Sequence, residues 1–327
     1  MRPPTPLPSQ LIGRVFTRAE AFALGIRDRR LGARDIERLG RGTYRHLPLA
    51  DQVAVSGAPS QTSSPEPAEH AALLAALCRR SAAVRVSHLS AAKLYRLRLP
   101  ARWEQDSRVT LTAQGRTHQS DVDPLVVIHR VAAAPVRRRW IQGVPVTEPA
   151  ELFVELARYL TRDELISFGD QLVRLPRPRL EGRSHPWCSI ADLNEAVKLG
   201  KGRHGIIRAR EAVELVRVGA DSPPETAMRL GIGRAGLPEP ELQIKRDPQD
   251  PYSAEGDAGY RDRRIVLQYE GEHHFSAEQQ ARDQRRNAEF AHAGWTVIQV
   301  NRVDLAENFS SMLRRLRVLL GNGPELT

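Results

Sequence analysis

EGDAGYRDRRIVLQYEGEHH, residues 255–274, holds a segment composed for burial that ends in groups composed for water. RIVLQYEG is rich in strand formers, yet it sets Gln268 and Glu270 two residues apart and runs into Gly271, His273 and His274. Side chains alternate along a strand, so Val266, Gln268 and Glu270 share one face, and Ile265, Leu267 and Tyr269 the other. If AEGDAGY folds back onto this strand through the turn RDRR (261–264), Asp257 lies opposite Gln268 on the same face. Glu270 is one step further along it. Two carboxylates and an amide oxygen then converge at a strand end, where they repel unless a cation neutralises them. Hard divalent ions such as magnesium take carboxylate and carbonyl oxygens of this kind.

The flanking sequence sets this hairpin in an α/β unit. Ser222 is a natural N-cap, Pro223 suits the first helical position and Glu225 falls at N3, so SPPETAMRLGIGRA (222–235) predicts a helix. PELQIKRD predicts a strand. SAEQQARDQRRNAEFAHAG predicts a helix stopped by Gly294, and WTVIQVN a last strand. DLAENFSSMLRRLRVLL predicts one closing amphipathic helix. The expected order over 221–327 is α-β-β-β-α-β-α.

The rest of the chain differs in charge. Residues 221–327 hold 14 Arg and Lys against 17 Asp and Glu, whereas residues 1–220 hold 35 against 22. A basic excess of that size suggests a polyanion partner, nucleic acid above all. Only four of the 49 basic residues are lysines, as an arginine-favouring codon bias would also produce. In residues 11–48, Thr17 and Glu20 form a capping-box pattern, Gly25 closes that helix, and RDRRLGARDIERLG predicts a second helix ending before Gly40. A short extended piece, RGTYRHLP, follows. This is the outline of a winged helix-turn-helix over residues 1–50, whose second helix can enter a major groove; a helical cap with arginines on a solvated face gives the same pattern.

Residues 51–67 are rich in Ser, Pro and Gly and read as a linker. A mixed α/β middle region, 68–220, ends in helices. It includes the basic run Arg137, Arg138 and Arg139 and a Pro- and Arg-rich loop at 174–187. His88, beside Ser87 and Ser90, has no acid at a useful spacing and reads as a packed histidine. Cys78 and Cys188 form no metal-like spacing and no disulfide framework, which fits a reducing cytoplasm. No apolar run approaches a membrane span, and MRPPTPLPSQ lacks the pattern of a secretion signal.

The series SPPE, GDAGY, RIVLQYEGEHH, RD and GW.VI.V..DL resembles the very-short-patch-repair endonuclease-like domain of the PD-(D/E)XK superfamily, over residues 221–320. The first 220 residues resemble the region often fused to that domain in bacteria. This region begins with an AbiEi-antitoxin-like winged helix-turn-helix, matched here by FTRAEAFALGI and RLGRGTYRHLP. The resemblance implies a restriction-endonuclease-like fold and phosphodiester hydrolysis assisted by Mg2+ or Mn2+. It makes Asp257 the metal-binding aspartate and puts Gln268 and Glu270 where the family has its acid-x-acid or acid-x-lysine pair. Glu225 matches the acid of the first helix, His273 or His274 the histidine after the strand, and Asp283 the aspartate opening the next helix. Glutamine stands where the family has glutamate at 268, no lysine stands at 270, and the domain lacks cysteines for a structural zinc.

The expectation is therefore an α/β multidomain protein of the cytoplasm with a metal-dependent DNA endonuclease site. Its catalytic set is Asp257, Glu270, Gln268, Glu225, His273 and His274, with the metal on the first three. Nucleic acid would be contacted by Arg27, Arg29, Arg30, Arg34, Arg137, Arg138, Arg139, Arg282, Arg285 and Arg286. The alternative is a DNA-binding regulator or antitoxin-like protein with an inactive nuclease fold. A homodimer and a toxin or other protein partner remain open.

Overall fold

The computed structural model of the protein describes residues 6–40, 42–47, 74–78, 83–115, 126–131, 137–250, 252–270 and 277–321, without the side chains of 40, 179, 180 and 277–282. The protein is a mixed α/β, multidomain fold. It divides into two compact units, Met1–Glu148 and Pro149–Thr327. The helices that follow residue 148 thus belong with the C-terminal sheet.

The first unit opens with β1 (Val15–Thr17), α1 (Arg18–Ala23), α2 (Asp28–Leu31), β2 (Ile36–Gly40) and β3 (Thr43–His46). The expected capping box is present: Thr17 Oγ1 accepts from the Glu20 amide and Glu20 reaches back to the Thr17 amide. The second helix is a single turn, however, and residues 36–40 form a strand. Ile36 buries its side chain in a small core with Phe16, Ala21 and Leu31, and β2 and β3 pair antiparallel. Tertiary pairing overrides the helical pattern of the charged run here. A second sheet follows, from β4 (Val84–Val86), α3 (His88–Leu94), α4 (Ala101–Glu104), β5 (Val109–Gln114), β6 (Val126–Val131), β7 (Arg138–Ile141) and β8 (Val144–Thr147), in the order β6-β5-β4-β8-β7. His88 is buried, its Nδ1 2.9 Å from Ser87 Oγ and its ring stacked on His129.

The second unit begins with helices α5 (Pro149–Leu156), α6 (Arg162–Val173), α7 (Pro178–Glu181), α8 (Ile190–Leu199) and α9 (Ile206–Val213). α6 lies in a stretch whose helix the sequence reading passes over, although Thr161 and Glu164 form a capping box there. Then come α10 (Pro223–Arg234), β9 (Glu241–Lys245), β10 (Glu255–Tyr260), β11 (Ile265–Tyr269), α11 (Ala277–His292), β12 (Thr296–Val300), α12 (Arg302–Ala306) and α13 (Ser310–Leu319). The sheet order is β12-β11-β10-β9, with β11 and β12 parallel and the other neighbours antiparallel.

Alternation assigns the two faces. Ala258, Ile265, Leu267, Ile298 and Val300 pack with Met228 and Ile232 of α10 and Met312 and Leu316 of α13. Val266 and Ile244 pack on the other face with Phe290 of α11 and Trp295. The closing helix is split, because Asn308 and Phe309 take positive φ and Phe309 turns into the core against Gly231, where a Cβ would lie 3.2 Å from its ring.

α10 is fastened to α6 by a buried ion pair. Asp170 is fully buried; its carboxylate accepts from Arg229 Nη2 at 2.8 Å, Thr226 Oγ1 at 2.8 Å and the Arg217 amide at 2.7 Å. Burial raises the Asp170 pKa, while the Arg229 charge and the three donors oppose that rise. Asp170→Ala takes the nearest carboxylate from the buried Arg229 and leaves it the exposed Glu239 at 3.6 Å, so urea unfolding should show a loss of about 3–5 kcal/mol. A loss below about 1 kcal/mol would remove this pair from the account of how α10 is held.

Candidate active site at the fork of β10 and β11

The β10–β11 ladder runs Tyr260 to Ile265, Gly259 to Val266 and Ala258 to Leu267, and stops there. Continued by one residue, this register would set Asp257 opposite Gln268. Beyond the last pair, the Tyr269 amide finds a side chain instead of a backbone partner: it donates to Asp257 Oδ2 at 2.6 Å. The glycines around Asp257 are required by close approach. A Cβ at Gly256 would come within 2.2 Å of Val266 Cγ2, and one at Gly259 within 2.4 Å of the Ile265 carbonyl oxygen. GDAG is thus a strand shaped to press against β11 while holding one carboxylate at the fork.

Glu225 enters from the first turn of α10. Ser222 caps the helix, accepting from the Glu225 amide at 3.4 Å. The Glu225 carboxylate in turn accepts from Ser222 Oγ at 2.7 Å and from the Asp221 amide at 2.8 Å. Burial and then the Asp257 charge push its pKa up to about 7, against the pull of these two donors. Asp257 is raised as well. Burial is the largest cause and Asp221 adds to it, while the Tyr269 amide, Arg286 and Arg177 pull it down. The two carboxyls share one electrostatic environment and resist ionising together.

Gln268 is fully buried on β11, and neither its Oε1 nor its Nε2 has a hydrogen-bond partner among the described residues. An orphaned carboxamide in a native interior costs on the order of 1–3 kcal/mol and calls for an explanation. Glu270 follows the strand, its amide held by the Val300 carbonyl at 2.7 Å and its side chain exposed. Asp257, Gln268 and Glu225 are therefore brought to one fork, with Glu270 at its end. His273 and His274 lie outside the described residues. Among the described residues, no three or more His, Cys, Asp or Glu side chains form a group that could hold a metal ion by themselves. An ion here would draw on the carboxylate pair, the Gln268 oxygen and further oxygens.

Of the basic residues, Arg286 on α11 lies 3.2 Å from Asp283 and close enough to Asp257 to lower its pKa. Arg285 is exposed, and the Arg282 side chain is outside the described set. Arg27, Arg29 and Arg34 are exposed around α2, whereas Arg30 is committed to Asp35 through two bonds of 2.7 and 2.6 Å. Arg137, Arg138 and Arg139 are exposed at edge strand β7. Beside them Trp140, which the sequence reading did not single out, is 61% exposed, with the Arg138 guanidinium 5.8 Å from its ring.

No protein-family model matches the chain. Similarity is found to two proteins of Mycobacterium tuberculosis, Uncharacterized protein MT2308 of strain CDC 1551 / Oshkosh and Uncharacterized protein Rv2248 of strain ATCC 25618 / H37Rv. Each is 30% identical over 176 residues, 54% of this chain and 60% of the relative. The match spans about three-fifths of the length of these relatives. No helix among the described residues is long and apolar enough to cross a membrane.

The raised Glu225 pKa sets a pH dependence. A carboxyl that binds its proton more tightly when folded contributes stability that is complete below its unfolded value of 4.5 and lost as pH rises through about 7. Metal-free protein should therefore lose stability between pH 5 and pH 8. Glu225→Gln should remove on the order of 1–3 kcal/mol of that loss, at about 1.4 kcal/mol per pKa unit. Urea midpoints at the two pH values check this; parallel pH slopes for both proteins would contradict it.

Proposed function

We propose that the fork of β10 and β11 is the site of a divalent-cation-dependent DNA endonuclease. The observation that carries this reading is the pair of half-buried carboxyls on different elements, Asp257 and Glu225, both raised in pKa, beside the unpartnered Gln268. Evolution rarely leaves such an arrangement without a compensating charge. The donor set fits a hard divalent ion: two carboxylates and a carboxamide oxygen, with Glu270 at the strand end. Mg2+ or Mn2+ held by Asp257, Gln268 and Glu270 would supply Lewis-acid stabilisation of phosphate charge and a more acidic water.

The chain's own residues do the remaining work. The Tyr269 amide fixes the Asp257 carboxylate at the fork. Glu225, with a pKa near neutrality, is suited to exchange a proton with the attacking water. Arg286, on the neighbouring helix, is a cation for a substrate phosphate. The water adds to phosphorus as the bond to the leaving sugar oxygen breaks; the water's proton passes to a carboxylate or to solvent, and the leaving oxygen takes a proton from solvent to become a hydroxyl. His273 or His274 would act as a further base or orient the phosphate. The basic excess of residues 1–220 would supply backbone affinity that an acidic C-terminal segment lacks; the partner is DNA and the expected compartment the cytoplasm.

Two features favour a second reading, a DNA-binding regulator or antitoxin-like protein with a retired site. Gln268 carries no charge, and both Glu225 oxygens already accept hydrogen bonds from the helix start. One experiment separates the readings: incubation with supercoiled plasmid and with single-stranded DNA in Mg2+ or Mn2+, beside Asp257→Asn. The nuclease reading expects metal-dependent cutting that falls at least about 100-fold in the variant, a loss in line with removing one electrostatic stabiliser of the transition state. DNA shifted equally by both proteins without cutting would support the second reading.

A further substitution reads the site without catalysis. Gln268→Glu should lower the urea midpoint of the metal-free protein by burying a charge. The same variant should gain more stability from 10 mM Mg2+ than the native chain does. No differential effect of Mg2+ would separate Gln268 from the ion.

A further inference from the structure

The loop between α6 and α8, far from the nuclease-like segment in sequence, reaches the fork through Arg177. Its Nη2 donates to Asp221 Oδ2 at 2.6 Å. Asp221 is the residue whose amide holds Glu225, and its Oδ1 also accepts from Gln243 Nε2 at 3.3 Å. The Arg177 amide is fixed by Glu181 Oε1 at 3.0 Å, and Glu181 is itself gripped by Arg174 and Arg183 at 2.8 and 2.9 Å. Burial works against the Glu181 charge, yet Arg174, the Arg177 amide and Arg183 outweigh it and draw its pKa down to about 2. The loop backbone is thus pinned by a charged network.

The Arg177 side chain is held differently. It is 66% exposed, and its Nε and Nη1 have no partner among the described residues. A guanidinium anchored at one nitrogen, with its other donors open, presents the planar fork that takes phosphate oxygens two at a time. It also stands within electrostatic reach of Asp257, as does Arg286 of α11. An independent feature of the same fork, the unpartnered and fully buried Gln268, points to a ligand there. Arg174 and Arg183 face Glu181 and are already committed; among the described side chains of the loop, Arg177 is the arginine with donors to spare.

We propose that Arg177 is a substrate-binding residue of this site, which holds the phosphate next to the scissile bond and is oriented for it by Asp221. The inference rests on the nuclease reading. It assigns the loop at 174–187 to the active site rather than to a separate binding surface.

Two arms test it on the full chain. In the first, arginine reactivity toward phenylglyoxal is followed by mass spectrometry with and without a 20-base-pair DNA duplex in Ca2+. Arg177 should be protected at least about 5-fold, while Arg234, similarly exposed at 58% and paired with Asp163, keeps its reactivity. In the second arm, Arg177→Ala should lower the Mn2+-dependent cleavage rate at saturating metal about 100-fold. Arg177→Lys should recover a tenth or less of it, because an ammonium lacks the planar fork, and Arg234→Ala should cleave like the native chain. Cleavage by Arg177→Ala within 3-fold of native, or unchanged Arg177 reactivity on DNA, overturns the inference. Protection of Arg177 without cleavage by the native chain supports its place on the phosphate and sinks the nuclease reading alone. Neither protection nor cleavage sinks both.

Discussion

One hydrogen bond, from the Tyr269 amide to Asp257 Oδ2, sets the terms for the C-terminal sheet. An antiparallel pair normally satisfies its backbone donors with carbonyls. Here the ladder gives out after Ala258 and Leu267, and a carboxylate takes the place of the next partner. The consequence is a charge held where two strands part, with the hydrophobic faces of the sheet closed on both sides of it. Gly256 and Gly259 let β10 approach β11 closely enough to make that substitution. Glu225, Gln268 and Arg177 gather at the same fork, each adding charge, a lone pair or a donor beside that carboxylate.

The helices before the sheet contribute more than bulk. Asp170 of α6 binds Arg229 and Thr226 of α10, the helix whose first turn carries Glu225. The loop after α6 brings Arg177 to Asp221, immediately before that helix. Two contacts of different character, one buried and one open to solvent, therefore tie residues 149–220 to the fork. The buried contact fixes where the Glu225 carboxylate stands; the open one leaves a cation free to meet an anion.

Much of this geometry was legible in the sequence, for local reasons. The alternation in IVLQY fixes which side chains share a face, the turn RDRR fixes the hairpin register, and Ser222, Pro223 and Glu225 mark a helix start whose cap forms as read. The failures were of long range. Residues 36–40 look helical until Ile36 finds the core of β1, α1 and α2. The closing helix breaks because Phe309 is drawn into the packing beneath Gly231, which no local pattern announces. The reach of Arg177 to Asp221 spans 44 residues, and nothing in a Pro- and Arg-rich loop says which arginine is spoken for and which is open. The second helix of the helix-turn-helix outline is one turn long, because the residues after it pair as a strand with β3.

The most direct measurement is the anomalous difference density of crystals soaked in MnCl2 at pH 8. A peak is expected at the fork, with Asp257 and the Gln268 oxygen among its ligands, and it should be lost in Asp257→Asn crystals soaked alike. An empty fork in well-ordered native crystals, or manganese bound only elsewhere on the chain, would contradict the claim that this site is made to hold a divalent cation.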